Sequence, residues 1–236
     1  MFDDLTVKLF ADGADLDGIL TLAADPRVSG FTTNPTLMWK AGLTNYQDFA
    51  QRLLERVSEH PISFEVFADD EPEIRRQARL IAGWGENVYV KVPVSTTAGV
   101  SLAPLVRELS EDGVKVNVTA LFTTAQVELI TEAVKDGAPS YISVFAGRIA
   151  DAGIDPVPLM RAAVDIMVAA PRAELIWASP REVLNVVQAD QVGAHVITMT
   201  HDLFAKLDSL GKDLAQFSLE TVQMFRRDAL SAGFTL

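Results

Sequence analysis

Short apolar runs alternate with longer stretches of helical period from one end of the chain to the other. Eight of these runs read as strands, over residues 7–12, 30–34, 62–67, 88–94, 115–122, 141–148, 174–179 and 194–200. Most are apolar on both alternating faces, as expected where helices cover one side and a packed interior the other. Amphipathic helices lie between them. In 45–59, Phe49, Leu53, Leu54 and Val57 recur at spacings of three and four, and in 125–134 Val127, Ile130 and Val134 form one stripe. Gly113, Gly137 and Gly193 follow helical stretches, where helix C-termini favour glycine. Asp155-Pro156 and Ser179-Pro180 read as an N-cap followed by proline in a first helical turn.

Eight strand–helix units in a chain of 236 residues leave two architectures. One is a closed (β/α)8 TIM barrel, which takes roughly 200–250 residues. The other is a doubly wound open sheet, which usually carries a glycine-rich nucleotide fingerprint. Neither G-x-G-x-x-G nor G-x-x-x-x-G-K-[ST] occurs, so the α/β barrel is favoured. No linker or second composition regime interrupts the pattern, and residues 1–236 read as a single domain. Residues 213–236 form a C-terminal helical extension carrying Leu214, Phe217, Leu219, Val222, Phe225 and Leu230. That helix could pack on its own barrel or clasp a neighbour, and a homo-oligomer built through it is expected.

Composition narrows the partners. A hydrophobic fraction of 49% excludes disorder for the bulk of the chain. The formal charge of −12 argues against nucleic acid, which is held by clustered Lys and Arg. Without cysteine there are no disulfides, thiolate nucleophiles or Cys-ligated metals. No apolar run approaches the ~18 residues of a membrane span, and the acidic start Met1-Phe2-Asp3-Asp4 is unlike a signal peptide. A cytoplasmic protein with no membrane partner is expected.

In such barrels the reacting groups project from the C-terminal ends of the strands. Polar residues gather there: Asp12, Asn34, Glu65, Lys91, Asn117, Thr119, Ser143, Arg148 and Ser179, with Arg181 close behind. Lys91, within Val88-Tyr89-Val90-Lys91-Val92-Pro93-Val94, falls on the face opposite Val90 and Val92. Burial disfavours an ammonium relative to a free amine, and a free amine can attack a carbonyl to form a Schiff base. An ion pair with an interior carboxylate is the alternative for a strand lysine. Asp12 and Glu65, on other strands facing the same interior, supply the proton acceptor and donor that such chemistry needs. Arg148, Ser179 and Arg181 suit a phosphate monoester, helped by a helix N-terminus expected near Ser179-Pro180. His60, His195 and His201 form no H-x-H or H-E-x-x-H pair, so packing and surface roles are expected for them, and no metal.

Together these segments resemble a known family. Gly30-Phe31-Thr32-Thr33-Asn34-Pro35-Thr36-Leu37 looks like the G-[VF]-T-T-N-P-[ST]-L motif of transaldolases. Val90-Lys91-Val92-Pro93 is similar to their Schiff-base strand, and Val116-Asn117-Val118-Thr119 to their N-x-T strand. Ser143-Val144-Phe145-Ala146-Gly147-Arg148 and Ala178-Ser179-Pro180-Arg181 resemble the S-P-F-V-G-R and A-S-x-R segments. The resemblance implies a cofactor-free, metal-free mechanism on phosphorylated sugars. Lys91 attacks the C2 carbonyl of a ketose phosphate such as fructose 6-phosphate or sedoheptulose 7-phosphate. Asp12 takes the C4 hydroxyl proton, and a dihydroxyacetone unit remains on Lys91 until an aldose phosphate accepts it. Glu65 and Thr119 hold a proton-shuttling water. Thr33, Asn34, Asn117, Ser143 and Phe145 bind the sugar, while Arg148, Ser179 and Arg181 take the phosphate.

Fructose-6-phosphate aldolase-like members of this family commonly carry glutamine, tyrosine and leucine where this chain has Glu65, Phe145 and Asn117. Transfer is therefore expected over simple aldol cleavage. Val144, Gly13, Trp177 and the loop after Val94 depart from the family pattern, so an unusual sugar, for example an eight-carbon ketose phosphate, is compatible with the sequence. Of the 20 basic residues, Lys91, Arg148 and Arg181 belong to the barrel mouth, and the acidity is expected mainly on the outer helices.

Overall fold

The computed structural model describes residues 5–234; the acidic start and the last two residues lie outside them. Eight parallel strands close into a barrel in chain order, with β1 pairing both β2 and β8. The strands are β1 Lys8–Asp12, β2 Val28–Thr32, β3 Ile62–Glu65, β4 Val88–Pro93, β5 Val116–Leu121, β6 Ser140–Val144, β7 Ala173–Trp177 and β8 Val196–Thr200. Between the first five strands run α1 Leu16–Ala23, α2 Pro35–Lys40, α3 Tyr46–Leu54, α4 Glu71–Ala82 and α5 Ala103–Glu111. Then come α6 Thr124–Val134, α7 Ala146–Asp151, α8 Pro156–Met167 and α9 Leu184–Val192, and after β8 lie α10 His201–Phe204 and α11 Leu214–Ser231. This is the (β/α)8 TIM barrel that the alternating pattern predicts.

Two apolar layers result from strand alternation. Outward residues such as Val90, Val92, Val116 and Val118 meet the helices in one continuous core. Inward residues at the N-terminal end, including Phe10, Tyr141, Ile176 and Val196, fill the barrel itself. Phe10 and Tyr141 meet edge to face, with ring centroids 5.5 Å apart. Gly30 makes room for this plug, since a Cβ there would stand 2.5 Å from Phe10 Cζ. Above it lies a layer of buried polar residues: Thr32, Ser63, Lys91, Asn117, Ser143 and Thr198. Apolar packing below and polar side chains above put the chemistry at the C-terminal mouth.

Several boundaries differ from the sequence pattern. Helix α3 stops at Leu54 rather than near 59, because the carbonyls of Val57 and His60 turn to accept from Asn87 Nδ2 at 3.0 and 2.7 Å. Val57 is buried all the same. Strand β6 ends at Val144, so Arg148 stands on α7 and not in a strand. The run could not continue: β7, its partner, ends at Trp177 opposite Val144, and Gly147 is pressed against the Ser179 backbone. A Cβ at Gly147 would lie 1.6 Å from the Ser179 carbonyl oxygen.

Glu65 closes β3 instead of sitting inside it. Asn34 lies two residues past β2 and caps α2, accepting from Leu37 N at 3.0 Å. No helix starts at Ser179-Pro180. Ser179 adopts a left-handed backbone with φ 61°, and α9 begins only at Leu184, after Asn185 Oδ1 has taken the amides of Arg181 and Glu182. Asp155 does cap α8 with Pro156 in its first turn. Gly113 and Gly193 have positive φ, whereas Gly137 is required by close contact with Ser110. Among the described residues, no helix is long and apolar enough to cross a membrane.

Candidate active site

A cavity of about 530 Å³ opens at the C-terminal mouth of the barrel. Lys91 stands at its floor, only 7% exposed. Its Nζ donates to the Thr33 carbonyl at 2.9 Å and lies 3.2 Å from Glu65 Oε2. Register explains the pairing: Glu65 sits opposite Lys91 across β3 and β4, and Lys91 opposite Asn117 across β4 and β5. In-register residues of neighbouring parallel strands project to the same side, so all three point inward. The amine thus has the interior position read from the sequence, and with it the interior carboxylate partner that the sequence offered as the alternative for a strand lysine.

Asp12 is held from two sides. Thr32 Oγ1 donates to Oδ1 at 2.8 Å, and Asn34 Nδ2 to Oδ2 at 3.3 Å. Thr32 in turn shares a hydrogen bond of 2.6 Å with Thr198 Oγ1. Burial pushes the Asp12 carboxyl above the ordinary carboxylate range, outweighing the downward pull of Lys91 and of these hydrogen bonds. A carboxyl shifted in this direction is a better proton acceptor than an ordinary one.

On the other wall, Asn117 is fully buried and bridges two hydroxyls. Its Nδ2 donates to Ser63 Oγ at 2.9 Å, and its Oδ1 accepts from Ser143 Oγ at 2.7 Å. Ser143 lines the cavity; Asn117 acts behind it. Thr33 also stays behind the wall, its hydroxyl donating to the Ser63 carbonyl at 2.9 Å. Thr33 therefore reaches the site through its carbonyl on Lys91 rather than through its side chain. Thr119 Oγ1 is buried with no hydrogen-bond partner among the described residues, and the residue is part of the cavity lining. Next to it Ala120 has φ 63°, where the β5–β6 register shifts between Val118 and Leu121. A left-handed alanine in a strand is strained, and such bulges commonly re-aim side chains beside a site.

The rim carries the cations. Arg148 lies over the Phe145 ring, 5.2 Å from its centroid. Arg181 Nη1 donates to Ser179 Oγ at 3.1 Å, while its Nε and Nη2 hold the Asp151 carboxylate. The structure thus gathers Asp12, Asn34, Glu65, Lys91, Thr119 and Ser143 with Phe145, Arg148, Ser179 and Arg181 around one cavity, and leaves Thr33 and Asn117 in its supporting wall.

Sequence reasoning missed Thr32, Thr198, Lys40 and Asp151. Alternation could have found the first two, because Gly30, Thr32 and Asn34 share one face, as do Val196, Thr198 and Thr200. Lys40, at the end of α2 and on the cavity rim, carries no local signal. The histidines stay out of the cavity lining. His195 Nδ1 accepts from Leu175 N at 2.9 Å, and His60 meets Phe31 edge to face.

Residues 9–235 match the family described as Transaldolase/Fructose-6-phosphate aldolase. The chain belongs to this transaldolase/fructose-6-phosphate aldolase family. A "Probable transaldolase" of Streptococcus equi subsp. zooepidemicus is 37% identical over 204 residues, covering 85% of this chain and 90% of the relative. A protein with the same name from Herpetosiphon aurantiacus is 36% identical over 202 residues, covering 85% and 87%. Among solved structures, a dihydrodipicolinate synthase from Rhodopseudomonas palustris superposes with a TM-score of 0.59 at 16% identity, over 82% of this chain and 69% of that one. That likeness concerns the fold alone. The family membership makes the chain a transaldolase-type enzyme.

Proposed function

We propose that the chain transfers a dihydroxyacetone unit from a ketose phosphate, such as fructose 6-phosphate or sedoheptulose 7-phosphate, to an aldose phosphate through a Schiff base on Lys91. The observation that carries this reading is a buried amine facing a cavity, with Glu65 3.2 Å from it and Asp12 close enough to feel its charge. Glu65 takes a proton from the ammonium, and the free amine adds to the C2 carbonyl. Loss of water gives the iminium, with Glu65 and Thr119 holding the water that carries protons in and out. Asp12 removes the C4 hydroxyl proton. The C3–C4 electron pair moves into the iminium, leaving an enamine on Lys91 and releasing the shorter aldose phosphate.

An acceptor aldehyde then receives the enamine carbon, Asp12 returns its proton to the new hydroxyl, and hydrolysis frees the product ketose. In this reading Ser143 and Asn34 bind hydroxyls of the three-carbon unit, while Arg148, Ser179 and Arg181 surround the phosphate at the far end of the ketose, which leaves with the aldose. The residue choice Glu65, Phe145 and Asn117, where aldolase-like members commonly carry glutamine, tyrosine and leucine, supports transfer over simple aldol release. We place the reaction in the cytoplasm and read barrel and C-terminal helix as one domain that assembles into a homo-oligomer through α11.

Borohydride reduction in the presence of fructose 6-phosphate tests the chemistry. A three-carbon glyceryl adduct on the Lys91 peptide is expected, and Lys91→Arg should abolish both adduct and turnover. An unmodified peptide overturns the reading. Formation of free dihydroxyacetone without any acceptor aldehyde would instead identify an aldolase.

A further inference from the structure

Arg181 is not free in the cavity mouth. Its Nε donates to both Asp151 oxygens, at 2.9 and 3.1 Å, and its Nη2 donates to Oδ2 at 2.5 Å. Asp151 closes α7, three residues after Arg148, so the two share one face of that helix, turned toward the β7–α9 loop. Both partners are exposed, 44% for Arg181 and 54% for Asp151. An exposed pair of this kind adds little to stability, about 0–1 kcal/mol. Its effect lies in where it aims the guanidinium.

With Asp151 on the Nε–Nη2 edge, Arg181 has N–H donors left on both Nη atoms, one of which meets Ser179 Oγ at 3.1 Å. Ser179 accepts that bond and keeps its own hydroxyl hydrogen. Its left-handed backbone, pressed on Gly147, fixes where the hydroxyl stands. The far edge of Arg181 and the Ser179 hydroxyl therefore face an incoming anion together. The hydrogen bonds from Arg181 hold the Asp151 carboxyl below its ordinary value, and the charges of Arg181 and then Arg148 add a smaller pull in the same direction, so Asp151 stays ionised and bound.

We propose that Asp151 is a positioning residue for the phosphate group of the substrate. It touches no substrate atom; it orients Arg181 and neutralises part of the charge on the rim, so that the phosphate meets a pre-aimed fork instead of a mobile arginine. The assignment rests on the transaldolase reading for the identity of the ligand.

Two variants test it, Asp151→Ala and Asp151→Asn, the second keeping an acceptor for Nε. In the alanine variant KM for fructose 6-phosphate should rise on the order of tenfold, as should the inhibition constant of inorganic phosphate, about 1.4 kcal/mol each. Its kcat, and its rate with an unphosphorylated ketose donor and an unphosphorylated aldehyde acceptor, should stay within about twofold. Asp151→Asn should fall between wild type and alanine. An independent measure needs no turnover: inorganic phosphate should raise Tm of the wild-type protein and raise it less in Asp151→Ala. Tighter phosphate binding in the variants would mean that Asp151 competes for Arg181, and would overturn the proposal. So would unchanged KM, or equal losses on phosphorylated and unphosphorylated donors. If the wild-type enzyme shows neither turnover nor a Lys91 adduct, the transaldolase reading fails while the phosphate melts still decide the role of Asp151.

Discussion

Asp12 shows at the scale of one residue how the site trades stability for reactivity. Because burial raises its folded value above the unfolded one, the stabilisation linked to its proton is complete only below the ordinary carboxylate range. It is lost as pH rises through the folded value, so at neutral pH the ionised group burdens the fold. Asp12→Asn should therefore melt above wild type at pH 7, with the gap shrinking as the pH falls toward 4, while turnover drops about 10²–10⁴-fold. Thermal melts across pH together with an aldol-transfer assay check both halves; a variant that melts lower at pH 7 contradicts the sign. Gly13, the next residue, meets the His201 ring. A Cβ on Gly13 would lie 2.7 Å from His201 Nε2, and the ring is also crowded by Gly18, whose Cβ would stand 2.6 Å from Cε1. That Nε2 is buried without a partner among the described residues. Gly13→Ala should cost about 1–3 kcal/mol, and combining it with His201→Ala should recover much of that loss; simple additivity in urea melts would show that the two do not interact.

Strand ends and loops determine which parts of this site a sequence can reveal. The inward placement of Glu65, Lys91 and Asn117 was legible because period-two alternation fixes facing, and a barrel needs only facing and strand order to bring them together. The geometry between β6 and α9 was not. Ser179 at φ 61° and Ala120 at φ 63° are residue types that give no local hint of a left-handed backbone; tertiary contacts impose it. Asp151 is recognisable only once the β6–α7 and β7–α9 segments lie side by side, since 30 residues separate it from Arg181. The apolar run over 141–148 hid the end of β6 in the same way, its stop coming where the partner strand β7 also ends and where Gly147 contacts Ser179. That contact is testable as a unit. Gly147→Ala forces the Ser179 carbonyl away from a position 1.6 Å from the new Cβ. KM for phosphorylated sugars should rise more than tenfold with only a partial loss of kcat, and a variant with unchanged KM would mean that the Ser179 loop is not part of the phosphate site.

Over the whole molecule, charge and apolar surface pull in opposite directions. The −12 charge makes copies of the chain repel one another, yet α11 buries none of its residues and leaves Leu214 80% and Phe225 64% exposed. Val222, Leu219 and Leu230 extend this apolar surface along the same helix, and monomeric proteins rarely keep such continuous surface in water. A second copy of the chain covering α11 resolves the conflict, provided the buried apolar area outweighs the repulsion. Two consequences separate this from a helix that merely hangs in solvent. Sedimentation should give a multiple of the chain mass, and adding salt should tighten the assembly by screening the like charges. Phe225→Asp, placed where the barrel makes no use of the side chain, should dissociate the copies while leaving the far-ultraviolet spectrum and the barrel's melting profile in place. A wild-type protein that sediments as a monomer at micromolar concentration, with or without salt, would remove α11 from any role in assembly and leave its apolar face to be covered by something other than this chain.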